Sequence, residues 1–217
     1  MTEDYGRKQL VKICALLYER ELTVSAGGNM SVRLNEDEIL ITPSGKNKGF
    51  LTEDDPLVVN MEGEVVCGRG TPSIETGMHL AIYKANPETN AIIHCHPLNC
   101  VALTLKRRIR TDLTPEGVLL LGDVPTVGYY TPGSEELANA VASKSKSKAI
   151  LMERHGAVTQ GKDLIDAYNR MEELEFQAKL QMLVGRCRGL PGMRWRNSPR
   201  CDHHGSIGNE MVRNVPL

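Results

Sequence analysis

Two histidines one residue apart close an apolar run, Ala91-Ile92-Ile93-His94-Cys95-His96-Pro97. The run reads as a buried strand. Side chains alternate across a strand, so His94 and His96 face the same side, about 6–7 Å apart. At that spacing two imidazoles can converge on one ion. His155 follows a second short apolar run, Ala149-Ile150-Leu151-Met152, and offers a third nitrogen. Three imidazoles with a fourth position open is the ligand pattern of a catalytic rather than a structural zinc. The competing ligands are His79, His203 and His204. His79 lies one turn into a predicted helix, as a support for the site or as a core residue. His203 and His204 fall in a polar tail, which predicts a solvated loop.

Glu75, in Thr71-Pro72-Ser73-Ile74-Glu75, stands where that helix begins. A carboxylate there interacts favourably with the helix dipole whatever else it does. Beside a cation and partly desolvated, it can also take a carbon-bound proton made acidic by metal polarisation of an adjacent carbonyl. Spacing alone does not choose between the two roles. Three small-residue turns have the backbone N–H groups and hydroxyls that suit a phosphate: Ser25-Ala26-Gly27-Gly28-Asn29, Thr42-Pro43-Ser44-Gly45 and Thr71-Pro72-Ser73. Gly, Ser and Pro populate ordinary turns too, and none of the three matches a Walker A loop or a dinucleotide fingerprint. A shared anion site requires all three to converge.

The elements that must hold these residues mix helices and strands. Leu10, Cys14, Leu17 and Tyr18 follow helical spacing. Met30, Val32 and Leu34 alternate with Ser31 and Arg33, which predicts a strand. Residues 38–42 and 57–59 read as further strands, and Val118 to Leu121 and Thr126-Val127 as weaker ones. Met78, Ala81, Ile82 and Ala85 mark a helix leading into the histidine strand. Ser134 suits the N-cap of a helix carrying Leu137, Ala138 and Val141. A long amphipathic helix follows from about Asp163, through Leu164, Tyr168, Met171, Leu174 and Ala178. Several strands are adjacent in order, which favours a mixed or antiparallel sheet over a doubly wound parallel one.

The chain has 217 residues and a net charge of −1, enough for one domain with a substantial core. No basic patch points to nucleic acid, and no acidic tail suggests solvating disorder. The charged first residues do not resemble a signal peptide, and no apolar stretch approaches the ~20 residues of a membrane span. Six scattered cysteines without CxxC spacing read as reduced thiols of a soluble, cytoplasmic protein. One domain over residues 1–185 is expected, followed by an irregular, Arg-rich tail, 186–217, packing on this or a neighbouring subunit.

Taken in order, Gly27-Gly28-Asn29-Met30-Ser31, Ile41-Thr42-Pro43-Ser44-Gly45, Pro72-Ser73-Ile74-Glu75 through His79, Ile93-His94-Cys95-His96 and Glu153-Arg154-His155-Gly156 resemble the class II aldolase/adducin family. The likeness is greatest to its L-fuculose-1-phosphate aldolase branch and runs from about residue 5 to 185. It implies an α/β fold of three layers, α/β/α, with a central, largely antiparallel sheet flanked by helices. It also implies a homotetramer with active sites at subunit interfaces. His94, His96 and His155 would bind zinc or another divalent transition metal. Glu75 would be the acid/base residue, ligating the metal when substrate is absent. Gly28, Asn29, Ser44, Gly45 and Ser73 would cradle the phosphate of a sugar phosphate. The implied reaction is reversible cleavage of a ketose 1-phosphate to dihydroxyacetone phosphate and an aldehyde through a metal-stabilised enediolate.

Two departures stand out. Ile74 replaces the second serine of the family's phosphate motif, leaving only its backbone for that contact. The interface tyrosine that protonates the aldehyde oxygen has no clear counterpart, so Glu116, Tyr129, Tyr130 or a tail residue are the candidates. Within the same fold, ribulose-phosphate 4-epimerases typically carry aspartate at the position of Glu75. Methylthioribulose-1-phosphate dehydratases share the histidines and a glutamate, and are the alternative enzyme. A non-catalytic adducin-like interaction domain loses zinc ligands that this chain keeps.

Overall fold

The computed structural model describes residues 1–106 and 108–186. Eight strands form one sheet: β1 (Asn29–Arg33), β2 (Glu38–Ile41), β3 (Leu57–Asn60), β4 (Val65–Cys67), β5 (Ala91–Cys95), β6 (Thr126–Val127), β7 (Ala149–Met152) and β8 (Gly156–Gly161). Their spatial order is β4-β3-β2-β1-β5-β8-β7-β6. Every neighbouring pair is antiparallel except β6 with β7.

Helices cover both faces. Against one lie α1 (Glu3–Glu19), α3 (Leu98–Thr104), α4 (Pro115–Leu120) and α6 (Leu164–Arg186), and against the other α2 (Thr76–Ala85) and α5 (Glu135–Ala142). Strand alternation divides the core accordingly. Met30, Val32, Ile93 and Cys95 join Leu10, Cys14, Leu17, Met171 and Leu174 in one cluster. Ile39, Ile41, Ile92 and Val158 join Met78, Ile82, Leu137 and Val141 in the other. The expected three-layer α/β/α arrangement is thus observed. Ser31, which alternates with apolar neighbours, is fully buried because α2 covers its face.

One expected element is overturned. Val118 to Leu121 does not form a strand: Pro115–Leu120 is helical. Proline fits the first turn of a helix, and the Thr114 hydroxyl caps it by accepting from Gly117 N at 3.3 Å. Two strands and one α-helix were not anticipated. The edge strand β4 has an exposed sequence, α3 is short, and β8 (Gly-Ala-Val-Thr-Gln-Gly) lacks an apolar period. β8 is nonetheless buried along its whole length, its polar groups satisfied internally. Thr159 Oγ1 donates to Ala167 O, and Gln160 Nε2 to Ser145 O and Ser147 O. Ser134 caps α5 as expected, accepting from Leu137 N at 3.1 Å. The Arg-rich tail, with His203 and His204, lies outside the described residues, and among the described ones no helix is long and apolar enough to cross a membrane.

Candidate metal centre

β5 runs near the middle of the sheet between β1 and β8 and is buried throughout. His94 is its fourth residue and is fully buried. Its Nδ1 donates to Ala157 O at 2.9 Å, which leaves Nε2 facing inward as the free nitrogen. The strand ends at Cys95, so His96 lies just beyond it, ahead of Pro97 at the start of α3. The two rings still converge, with their Nε2 atoms 3.0 Å apart. The α6 residue Glu175 holds that start in place, its carboxylate accepting from Asn99 N and Cys100 N, both at 3.0 Å. His155 comes from the three-residue turn joining β7 to β8, where Arg154 takes a left-handed conformation (φ 57°). Its ring centroid lies 4.9 Å from that of His94 and 5.3 Å from that of His96.

The three donor atoms lie within 4.8 Å of one another. Nitrogens bound to one tetrahedral zinc at 2.0–2.1 Å would stand roughly 3.3 Å apart, so a small contraction brings all three to an ion. Glu75, the N-cap residue of α2, closes the remaining side. Its Oε2 is 3.0 Å from His94 Nε2, and its Oε1 is 3.4 Å from His155 Nε2. Among the described residues, Glu75 Oε1 and His155 Nδ1 are buried without a hydrogen-bond partner. Unpaired buried polar atoms cost about 1–3 kcal/mol each, and a cation among these groups would relieve at least the carboxylate. The donor set fits a divalent transition metal.

Electrostatics favours the ligating forms. Burial, with His94 and His155 nearby, pushes the His96 ring down to about 3. Burial lowers His155 as well. Burial acting alone would raise the Glu75 carboxyl, but the charge and hydrogen bond of His94 and the hydrogen bond from Asn29 outweigh it. The carboxyl is held well below the usual range. Burial thus favours the bare, ligating form of His96 and His155 beside an ionised carboxylate.

Glycines make the space. A Cβ on Gly156 would lie 2.3 Å from Cys95 O, 2.8 Å from His96 Cδ2 and 3.1 Å from His94 Cε1. We expect Gly156→Ala to cost about 1–3 kcal/mol in thermal denaturation and to weaken metal binding by tenfold or more. An unchanged metal titration would show that the rings do not need this gap.

The three small-residue turns converge beside the centre. The turns at 42–45 and 71–73 pair through Ser44 N to Thr71 O (2.9 Å) and Ser73 N to Thr42 O (3.3 Å). Gly45 adopts φ 73° with open space around its Cα, whereas a Cβ on Gly28 (φ 70°) would strike His94 O at 2.6 Å. Ser73 Oγ accepts from Glu75 N at 3.3 Å. The Asn29 side chain is engaged with Glu75, Nδ2 donating to Oε2 at 3.0 Å. His79 stands behind Asn29, fully buried and outside the ligand set. Of the proton-donor candidates, Tyr129 lies under the guanidinium of Arg154, the residue that precedes His155 in the chain (5.4 Å). Tyr130 and Glu116 are exposed, and among the described residues no contact ties them to the centre.

Lys48 was missed at the sequence level. It is fully buried, and its Nζ donates to Ala26 O (3.0 Å) and Lys46 O (2.8 Å), tying the first turn to the second. Burial lowers its pKa, opposed by Cys14 and Cys95. A lysine in a polar loop carries no sequence signal for burial. From His96 a cleft of about 760 Å³ opens outward between the end of α1 and α6, past Val24, Leu98 and Phe176.

The Class II Aldolase and Adducin N-terminal domain family matches residues 8–182. The chain is 44% identical to L-fuculose phosphate aldolase of Methanocaldococcus jannaschii over 82% of its length and 96% of that protein's. It is 38% identical to 3-oxo-tetronate 4-phosphate decarboxylase of Haemophilus influenzae over 83% of its length and 88% of that protein's. The crystal structure of YgbL from Klebsiella pneumoniae superposes with a TM-score of 0.81 at 36% identity, covering 86% of this chain and 93% of that one. With this fold, three converging imidazoles and an adjoining carboxylate, the chain belongs to the class II aldolase and adducin N-terminal domain family.

Proposed function

We propose that the chain is a zinc-dependent aldolase that reversibly cleaves a ketose 1-phosphate, fuculose-1-phosphate-like, to dihydroxyacetone phosphate and an aldehyde. The observation that carries this is the unpartnered Glu75 Oε1 beside three converging imidazoles. His94, His96 and His155 would hold the cation, with Glu75 joining them in the absence of substrate. A cation there supplies Lewis-acid polarisation of the substrate's ketone, typically worth several kcal/mol. Gly28, Asn29, Ser44, Gly45 and Ser73 would seat the phosphate, the glycines allowing backbone N–H groups to approach it closely. Glu75 Oε1 moves the proton at the carbon released when the carbon–carbon bond breaks. Lys48 adds positive charge behind the phosphate turns and holds them together. We expect Lys48→Met to weaken inorganic phosphate binding about tenfold, or about 1.4 kcal/mol, in a calorimetric titration. Unchanged affinity would leave Lys48 a role in packing alone.

A second reaction is favoured by the 38% identity to a 3-oxo-tetronate 4-phosphate decarboxylase. Loss of carbon dioxide from a 3-oxo acid phosphate leaves the same enediolate of dihydroxyacetone phosphate. It also needs no group to handle an aldehyde oxygen, the role for which this chain lacks a clear residue. Purified protein should be assayed with a panel of ketose 1-phosphates and with 3-oxo-tetronate 4-phosphate, detecting dihydroxyacetone phosphate by coupled reduction. Co-release of an aldehyde supports the aldolase, release of carbon dioxide the decarboxylase, and neither product with bound metal removes both. We also propose a cytoplasmic homotetramer in which a neighbouring subunit borders the cleft beside His96, with sedimentation analysis as the check. The apolar Val24, Leu98 and Phe176, exposed around that cleft, support it.

A further inference from the structure

Behind Glu75 runs a line of buried polar side chains that proton transfer at the substrate does not by itself use. Asn29 Nδ2 donates to Glu75 Oε2, and Asn29 Oδ1 lies 2.7 Å from His79 Nε2. His79 Nδ1 lies 2.6 Å from Ser31 Oγ, which is 2.9 Å from the Tyr83 hydroxyl. β1 supplies Asn29 and Ser31, two residues apart on one face, and α2 supplies His79 and Tyr83, one turn apart. The two periodicities bring the four side chains into a zigzag. Arg33 closes the far end, its guanidinium 4.7 Å above the Tyr83 ring.

The protons in this line have a single arrangement. An ionised carboxylate only accepts, so Asn29 must turn its NH₂ to Glu75 and its carbonyl oxygen to His79. That oxygen also only accepts, so His79 Nε2 must carry a proton. The ring is fully buried between Asn29 and Ser31, which disfavours a charge on it and leaves Nδ1 bare. Ser31 then donates to Nδ1, and its own oxygen accepts from the Tyr83 hydroxyl. The orientation of Asn29 decides what Glu75 feels. With NH₂ toward it, Oε2 is held by a donor while Oε1, 3.4 Å from His155 Nε2, accepts no hydrogen bond among the described residues and stays more basic. With the amide reversed, two oxygens would face each other and the carboxylate would turn away.

We propose that His79 is a positioning residue, fixed by Ser31 and Tyr83 as the Nε2–H tautomer. In that form it orients Asn29 so that Glu75 offers Oε1 to the substrate. The role given to Oε1 rests on the lyase function proposed above; the tautomer does not. A network serving packing alone would affect stability and leave proton transfer untouched, and this difference is the basis of the test.

Nitrogen-15 NMR of histidine-labelled wild-type protein, with metal bound, reads the tautomer without any variant. We expect a protonated Nε2 and a bare Nδ1 on His79. A protonated Nδ1, or a ring protonated at both nitrogens, overturns the proposal and leaves the metal site and the reaction as they were. Alongside it, His79→Leu removes the donor to Asn29, while His79→Gln places an amide N–H at the position of Nε2. We expect the leucine variant to lose about 10- to 100-fold in kcat with KM and metal content unchanged, and the glutamine variant to recover most of that loss. Equal kcat in wild type and leucine variant overturns the positioning role, as does equal loss in both variants. Absence of turnover in the wild type, with the Nε2–H tautomer present, contradicts the proposed reaction and not the hydrogen-bond chain.

Discussion

Replacing His96 by alanine is expected to strip the bound metal and lower turnover by about a thousandfold, or about 4 kcal/mol of transition-state stabilisation. His96 is the better choice for this test than His94. His94 is fully buried and pinned to Ala157 O, so its removal would also open a cavity and orphan a carbonyl. His96 is partly exposed at the mouth of the cleft, and its loss leaves β5 intact. Metal content by atomic emission, circular dichroism and turnover should therefore separate cleanly, with the first and last falling while the fold persists. Loss of activity with the metal fully retained would mean that His96 serves the substrate rather than the ion.

The second large effect is at Glu75. Glutamine preserves its shape and its contact with Asn29, but cannot take a proton from carbon. We expect Glu75→Gln to lower kcat by about 10²–10⁴, the range of a positioned general base. Affinity for inorganic phosphate should change little. Exchange of the carbon-bound proton of dihydroxyacetone phosphate with solvent should fall in parallel with kcat, since it needs the same base and no aldehyde. Full turnover in this variant would move the proton carrier to another residue, with Tyr129, stacked under Arg154 of the β7–β8 turn, a candidate.

The parts of this site legible in the sequence were those carried by short periods. Period-2 alternation located β1, a continuous apolar run located β5 with His94 and His96 on one side, and helical spacing located α1, α2 and α6. His94, His96 and His155 stood out because imidazoles at strand ends are chemically specific. What escaped was burial that no period announces. β8 reads as a loop because its threonine and glutamine are polar, yet each finds a main-chain partner inside. Ser31 and Lys48 look like solvent-facing residues, and only the helix over one and the carbonyls around the other make them interior. The order His94–Cys95–His96 also suggested one continuous strand. The strand stops at Cys95, and the second ring is aimed by the entry to α3 instead. Long-range pairing decided each of these.

The most direct measurement is X-ray absorption at the zinc edge on protein loaded with one equivalent of zinc. If His94, His96 and His155 share one ion, the spectrum will show three imidazole nitrogens at about 2.0–2.1 Å plus a light oxygen donor. Sulfur in the coordination sphere, fewer than three imidazoles, or no zinc retained after gel filtration would mean that the three rings do not form a metal centre.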